Sequence, residues 1–496
     1  MRSPSFWTWL PVAVAFALFA GGVGGAGFVA DDAFNLATHA NDGDWAGEWT
    51  APTYAHAGGE RGHIWRPLPA WLQHAAATTM GRVGSTFRGL SLGVHLINVV
   101  LLGWVARRLG ASAMAAGLVS LVWTTHPAMP EAICWSSDIY DLTATTMALL
   151  AVAAISVQAR PQRLAWMCVL TAAACLCKES SLALVPALAI IAAATRGMKA
   201  GLAVGAASAV GALAYSALHR SITQQSYVDA LHETPLIEMA DAGLMTIGWW
   251  AHAPARAPMA HLFNPMTDGA EVWLGSATLV GISVFIAHQF RVDARAKLLL
   301  AGLLAALALL LPAAVGMPFI GVAPLRYIYG PLGVGLAVAA ARWTGPAWVP
   351  CIAAVFAVAG VGSLRIADRV PAFQSDSTLW AAEFALEPTN PYAAGSLARA
   401  WIADGNTANA IRLWARAADG VKPGVRVFDK ANERWLLAQT AFMKGDAWTA
   451  LDQVEKLMSE SSEGAFPAMA HCLKADSLDA LGRREEAKLA GQSCAL

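Results

Sequence analysis

Charge is scarce in this chain. Only 14% of its 496 residues are Asp, Glu, Lys or Arg, against about 25% in an ordinary soluble domain. The 34 basic residues balance 34 acidic ones, so no basic surplus points to a nucleic-acid partner, and none is expected. Cysteine is scarce too. The seven cysteines form no CxxC pair and no zinc spacing, which excludes the usual structural zinc modules. Cys175 and Cys177 lie inside an apolar run. Cys472 and Cys494 stand apart near the C-terminus. They could form one disulfide if that part lies outside the cytoplasm, or remain buried thiols.

What fills the space is apolar: 56% hydrophobic residues, a mean hydropathy of +0.47 and twenty tryptophans. Several of these (Trp7, Trp9, Trp104, Trp123, Trp343, Trp348) flank apolar segments, as an interfacial belt requires. The chain therefore reads as a membrane protein. Its first apolar run, 6–29, is long enough to span a bilayer, at roughly 20 residues or more. A signal peptide has a shorter core of about 7–15 residues. Gly21–Ala26 mimics a cleavage site, but the run reads as an uncleaved first helix whose glycines admit a neighbouring helix.

Eleven spans are expected, over 6–29, 87–106, 112–125, 139–157, 164–178, 181–195, 199–218, 272–290, 297–315, 327–341 and 347–365. The basic residues test this count. Arg2, Arg107, Arg108, Arg160, Arg163, Arg196, Lys199, Arg291, Arg295, Lys297 and Arg342 all fall on one side, which the positive-inside rule makes cytoplasmic. The first loop and the C-terminus then face the other side. Residues 64–80 read as an interfacial amphipathic helix, and 236–262, rich in Pro, His and Trp, as interfacial or re-entrant.

Beyond about residue 366 the apolar runs end and amphipathic helical patterns begin. Three degenerate units, around 380–417, 435–451 and 468–487, have close to the 34-residue period of tetratricopeptide repeats. The expected fold class is thus all-α: a polytopic membrane domain over 1–366 and a small α-solenoid over 367–496.

Asp31 and Asp32 stand directly after the first span. Two acids at a membrane boundary lose solvation unless they have a partner or a task. The same face should carry His39, Asp42, Asp44, His56, Glu60, Arg61, His63 and Arg66, then His126, Glu131, Asp138, Asp141, Lys178, Glu179, Arg326, Tyr327 and Tyr329. A carboxylate there can take a proton from an acceptor hydroxyl, and Arg or Lys can hold a phosphate. The plainer readings are a Lys178–Glu179 salt bridge closing a turn and a snorkelling Arg326. His95 and Asn98, one turn apart, read as an interhelical hydrogen-bonding pair. The His39, Asp42, Asp44, His56, His63 group could bind a divalent metal, but it lacks a fixed ligand spacing. No cofactor is otherwise indicated.

Several strings taken in order resemble the GT-C class of membrane glycosyltransferases. They are Phe28-Val29-Ala30-Asp31-Asp32, Trp65-Arg66-Pro67-Leu68, His95-Leu96-Ile97-Asn98, His126-Pro127-Ala128-Met129-Pro130-Glu131-Ala132 running on to Trp135 and Asp141-Leu142, then Lys178-Glu179, Arg326-Tyr327-Ile328-Tyr329 and the repeats. The closer likeness is to transmembrane O-mannosyltransferase-like proteins with tetratricopeptide repeats. The resemblance implies transfer of a sugar from a polyprenyl-phosphate donor to a protein or glycan hydroxyl on the non-cytoplasmic face. It gives Asp31 the role of base with Asp32 beside it. Lys178 and Arg326 would contact the carrier phosphate. Arg66, His126, Glu131, Asp141, Glu179 and Tyr327 would complete the binding site, and the repeats would hold the acceptor or a partner. A membrane-anchored scaffold, with repeats recruiting proteins and no catalysis, is the competing expectation. A transporter would show inverted repeats and mid-membrane charges, which this sequence does not.

Overall fold

The computed structural model describes residues 4–30, 32, 46–53, 64–155, 161–223, 239–248, 260–262, 269–292, 296–320, 322–343, 351–388, 390–406, 408–410, 412–413, 434, 437–439, 441–442, 444–460 and 467–492. The chain divides into two compact units that part between Leu379 and Trp380.

The first unit is built of helices, joined by one short antiparallel pair of strands, β1 (Ala260–Leu262) and β2 (Val322–Pro324). With the 3₁₀ turns and the four-residue helix Gly47–Thr50 left unnumbered, its helices are α1 (Pro4–Phe19), α2 (Pro67–Met80), α3 (Gly84–Arg108), α4 (Ala113–Thr124), α5 (Met129–Cys134), α6 (Ile139–Ile155), α7 (Pro161–Cys177), α8 (Leu184–Arg196), α9 (Met198–Thr223), α10 (Gly269–Val292), α11 (Ala296–Ile320), α12 (Tyr329–Ala340) and α13 (Cys351–Arg369). Among the described residues, seven stretches are long and apolar enough to cross a membrane: Ser5–Gly22, Gly84–Arg108, Ser136–Ile155, Glu179–Arg196, Met198–Thr223, Val272–Phe290 and Ala296–Val315. Ala113–Thr124, Leu164–Cys177 and Leu325–Ala340 are apolar but shorter. Helix α13 lies over the segment expected at 347–365.

The first span is shorter than its apolar run. Helix α1 stops at Phe19 and a 3₁₀ turn carries the chain to Gly22, because the glycines that follow leave helical conformation, Gly25 with φ of +72°. Gly22 does serve a close approach: a Cβ there would sit 2.6 Å from a Val370 methyl. Glycine permits a close crossing elsewhere too. At Gly211, where α9 packs on α7, a Cβ would lie 2.1 Å from the Cys168 carbonyl oxygen.

Several polar groups between the helices are paired. His95 Nδ1 meets the Tyr329 hydroxyl and its Nε2 the Thr124 hydroxyl, both at 2.8 Å. Asn98 donates to the Leu142 carbonyl at 2.8 Å and accepts from the Thr146 hydroxyl at 2.7 Å. Four helices (α3, α4, α6, α12) are thus tied where no water would satisfy these groups.

The second unit contains the rest of a helix that begins at Asp376, then α15 (Pro391–Ala403), α16 (Ala447–Glu460), α17 (Pro467–Ala480) and α18 (Arg484–Gln492) once Asp376–Leu386 is counted as α14. Asn390 caps α15, its Oδ1 accepting from the Ala393 amide at 3.2 Å. Three turns close alike. Gly405, Gly445 and Gly482 have φ of +80°, +79° and +78°. After each glycine the next amide donates back to the fifth residue before it: Asn406 to Trp401, Asp446 to Ala441, Arg483 to Leu478. These are helix C-terminal closures that need a left-handed residue. Ala438, Val454, Leu457, Ala470 and Leu473 form one core, and Leu451, Leu478 and Ala487 the next, so the helices stack in sequence. Cys472 is disulfide-bonded; Cys494 lies outside the described residues.

Candidate functional site

Charged residues collect where helices break. His126 forms the turn before α5: its carbonyl accepts from the Met129 amide at 2.9 Å and its Nδ1 faces the Ala128 amide at 3.3 Å. Pro130 then starts the helix, since its missing N–H costs nothing in a first turn. Glu131 is in that turn and 3% exposed. Trp135 is extended and ends α5; a 3₁₀ turn, Ser136–Asp138, leads into α6. Asp138 and Asp141, one turn apart, bracket the start of α6. Lys178 is extended between α7 and the next 3₁₀ turn, which Glu179 opens. Arg66 precedes Pro67 at the head of α2, and Arg326 sits in the 3₁₀ turn between β2 and α12.

These segments converge. Arg326 Nη1 donates to Glu131 Oε1 at 2.7 Å, its backbone amide to Glu131 Oε2 at 3.1 Å, and its Nε lies 3.1 Å from Asp138 Oδ1. Lys178 Nζ is 2.5 Å from Asp141 Oδ2. Arg66 grips Glu179 with two nitrogens, Nε at 2.7 Å from Oε2 and Nη2 on Oε1. Aromatic rings line the cations. The Arg326 guanidinium lies 4.1 Å from the Trp135 ring centre and 5.3 Å from that of Tyr327; Lys178 Nζ is 4.8 Å from Tyr327, and Arg66 is 4.7 Å from Tyr140. Three cations therefore meet four carboxylates, Glu131, Asp138, Asp141 and Glu179. Burial pushes the Glu131 carboxyl up to about 7, and the Arg326 guanidinium, which pulls the other way, does not offset it.

Of the residues expected from sequence, Arg66, Glu131, Asp141, Lys178, Glu179, Arg326 and Tyr327 lie in this network. Lys178 and Glu179 do not pair with each other; each reaches a different segment. His126 shapes the turn before Glu131. Asp32, expected beside the base Asp31, is engaged by backbone and side-chain donors. It is fully buried, and its carboxylate accepts from the Ser137 amide at 2.6 Å, the Ser137 hydroxyl at 2.8 Å, the Val29 amide at 3.2 Å and the Ser136 amide at 3.4 Å. A carboxylate so saturated clamps the chain. Asp31 lies outside the described residues, but both its neighbours are held. Ala30 takes a left-handed φ of +54°, and its amide donates to Asp376 Oδ1 at 2.5 Å.

Asp138, Trp135 and Tyr140 were not singled out from sequence as site residues. The signal for Asp138 was its three-residue spacing from Asp141, which puts both on one face. Trp135 stood only within the strings of the resemblance, and Tyr140 carries no mark in the sequence. His39, Asp42, Asp44, His56 and His63, the expected metal group, lie outside the described residues. Among the described residues no three His, Cys, Asp or Glu side chains are placed to share a metal. No protein-family model, curated protein or solved structure matches the chain.

Proposed function

We propose that this protein is a polytopic membrane glycosyltransferase of GT-C type. It moves a sugar from a polyprenyl-phosphate donor to a hydroxyl of a protein or glycan acceptor. The observation that carries the reading is the convergence of Arg66, Glu131, Asp138, Asp141, Lys178, Glu179 and Arg326 from five separate helix breaks at one end of the membrane helices. Charges gathered at such a boundary are costly unless used. The strained, non-glycine Ala30 directly before Asp31 adds support, because backbone strain collects at functional sites.

In this reading Asp31 accepts the proton of the acceptor hydroxyl. The hydroxyl oxygen attacks the anomeric carbon, the bond from that carbon to the carrier phosphate oxygen breaks, and the phosphate leaves toward Lys178 and Arg326. Asp32, through Ser137, Ser136 and Val29, holds the turn that carries the base. Read as eleven spans, the seven long ones together with α4, α7, α12 and α13, the chain would carry this end on the non-cytoplasmic face. A disulfide at Cys472 fits the same side for the helical repeats, which we read as tetratricopeptide-like and as a cradle for the acceptor.

One observation favours a second reading. Each cation of the network already has a carboxylate, and such pairing also suits a bundle that merely anchors a scaffold. The deciding experiment is sugar release and transfer by the purified chain with a panel of radiolabelled polyprenyl-phosphate sugars, beside Asp31→Asn. Turnover lost in the variant supports the transferase and its base. No turnover with any donor, in protein that still binds a partner through its repeats, favours the scaffold.

A further inference from the structure

The two ends of the membrane unit treat their cations differently. In the network around Glu131, Arg66, Lys178 and Arg326 each have a carboxylate. Helix α3 starts near that end, Gly84 lying against the backbone of Ala26 and Gly27, and finishes about 37 Å away at 1.5 Å per residue. It finishes with Arg107 and Arg108, both exposed, and neither has a carboxylate partner among the described residues. Arg107 Nη1 donates to the Ala111 carbonyl at 3.0 Å, and the Arg108 guanidinium lies 4.7 Å from the Trp104 ring centre.

Beneath Arg107 is a cavity of about 390 Å³ between α1, α3 and α4. Its walls include Trp7, Val100, Trp104 and Ala113, with Arg107 at one side. Helix α1 can approach α4 this closely because Gly117 has no Cβ; one would sit 2.4 Å from the Trp7 carbonyl oxygen. One wall group is out of keeping. Ser120 lines the cavity, is 1% exposed, and its hydroxyl has no hydrogen-bond partner among the described residues. A buried hydroxyl left so costs stability unless a ligand satisfies it. It faces Gly103, 3.2 Å from the position of a Cβ there, and Gly103 is one helical turn, about 6 Å, below Arg107.

We propose that this cavity binds one acyl chain of an anionic phospholipid, with its phosphate on Arg107 and Arg108 and its ester carbonyl accepting from the Ser120 hydroxyl. The walls belong to helices apolar enough to face lipid, so a chain rather than a sugar fits them. The two unneutralised arginines select negative charge, as basic pockets between membrane helices do. One turn is the depth at which an ester lies below its phosphate. The inference needs the membrane assignment but not the transferase reading, so either can fail alone.

The test exposes the purified full-length chain in detergent to equal amounts of phosphatidylglycerol and phosphatidylcholine with identical chains, and reads bound lipid by native mass spectrometry. The wild type should retain phosphatidylglycerol roughly tenfold or more over phosphatidylcholine. R107Q/R108Q should lose that preference, and Ala113→Phe, which places a ring in the cavity, should lose both lipids. Glycerol 3-phosphate, a headgroup without chains, should not compete. Unchanged elution and far-ultraviolet circular dichroism control for folding. Equal retention of the two lipids, preference surviving in R107Q/R108Q, retention surviving in Ala113→Phe, or full competition by glycerol 3-phosphate would each overturn the proposal.

Discussion

Arg326 and Glu131, 195 residues apart in sequence, meet twice: guanidinium Nη1 on Oε1 at 2.7 Å and backbone amide on Oε2 at 3.1 Å. The second contact fixes the position of the backbone as well as the charge. It pins the 3₁₀ turn after β2 to the first turn of α5. With Asp138 on Nε and Trp135 under the plane, the guanidinium is held on three sides.

Arg326→Ala should therefore be among the most damaging single changes in the first unit. It strands Glu131 and Asp138, 3% and 5% exposed, without their cation, a loss of about 3–5 kcal/mol for a buried pair broken on one side. Arg326→Lys should recover part of the charge but not the forked geometry. Thermal unfolding in detergent ranks the three proteins. If Arg326→Ala melts with the wild type, the network does not hold the fold.

Glu131 also makes stability depend on pH. Its folded carboxyl is raised from 4.5 to about 7, burial outweighing Arg326. Between those values the folded protein holds a proton that the unfolded chain has lost, so stability falls as pH rises. The contribution is complete below the unfolded value and gone once pH has passed through about 7. Melting temperature followed from about pH 5 to pH 8 should decline in the wild type, and Glu131→Gln should flatten that decline by removing the titration. A decline of equal size in the variant would assign the effect to another group.

How much of this was legible beforehand depends on distance along the chain. The helices were, because an apolar segment of spanning length has one sensible fate in lipid. Arg66, Asp141, Lys178, Glu179 and Arg326 were legible as charges at helix ends. Their partners were not. Nothing in the spacing says that Glu179 faces Arg66 across 113 residues, while its neighbour Lys178 turns to Asp141. Such pairings are tertiary, decided when helices pack. Asp31 and Asp32 look equivalent in sequence, yet the Ser137 amide and hydroxyl, 105 residues on, commit Asp32 to holding structure.

The crossing of α7 and α9 gives a steric prediction. A side chain at Gly211 must displace the Cys168 carbonyl, 2.1 Å from where its Cβ would stand. Backbone cannot yield as a side-chain tip can. Gly211→Leu should lower stability by more than the usual 1–3 kcal/mol of overpacking, whereas Ala207→Leu, one turn earlier on the same helix, is the control for helix and volume. Expression and melting of the two variants compare them directly; equal behaviour would mean that the helices separate without penalty.

The acid pair offers the sharpest division of roles. Asp32 accepts four hydrogen bonds in a fully buried setting. Asp32→Asn keeps the shape but turns one acceptor into a donor facing amides, a mismatch of about 1–3 kcal/mol. It should lower the melting temperature and, by loosening the turn before Ser136, lower transfer with it. Ser137→Ala removes one of those donors and should produce a weaker form of the same fall, about 0.5–1.5 kcal/mol. On the proposed transferase reading, Asp31→Asn should do the reverse, abolishing transfer while the melting temperature stays with the wild type, because the proposed base contributes to the reaction and not to the clamp. Measuring both quantities on all three variants separates the roles. If Asp31→Asn destabilises as Asp32→Asn does, the two acids form one structural unit, and the proton acceptor must be sought among Glu131, Asp138 and Asp141.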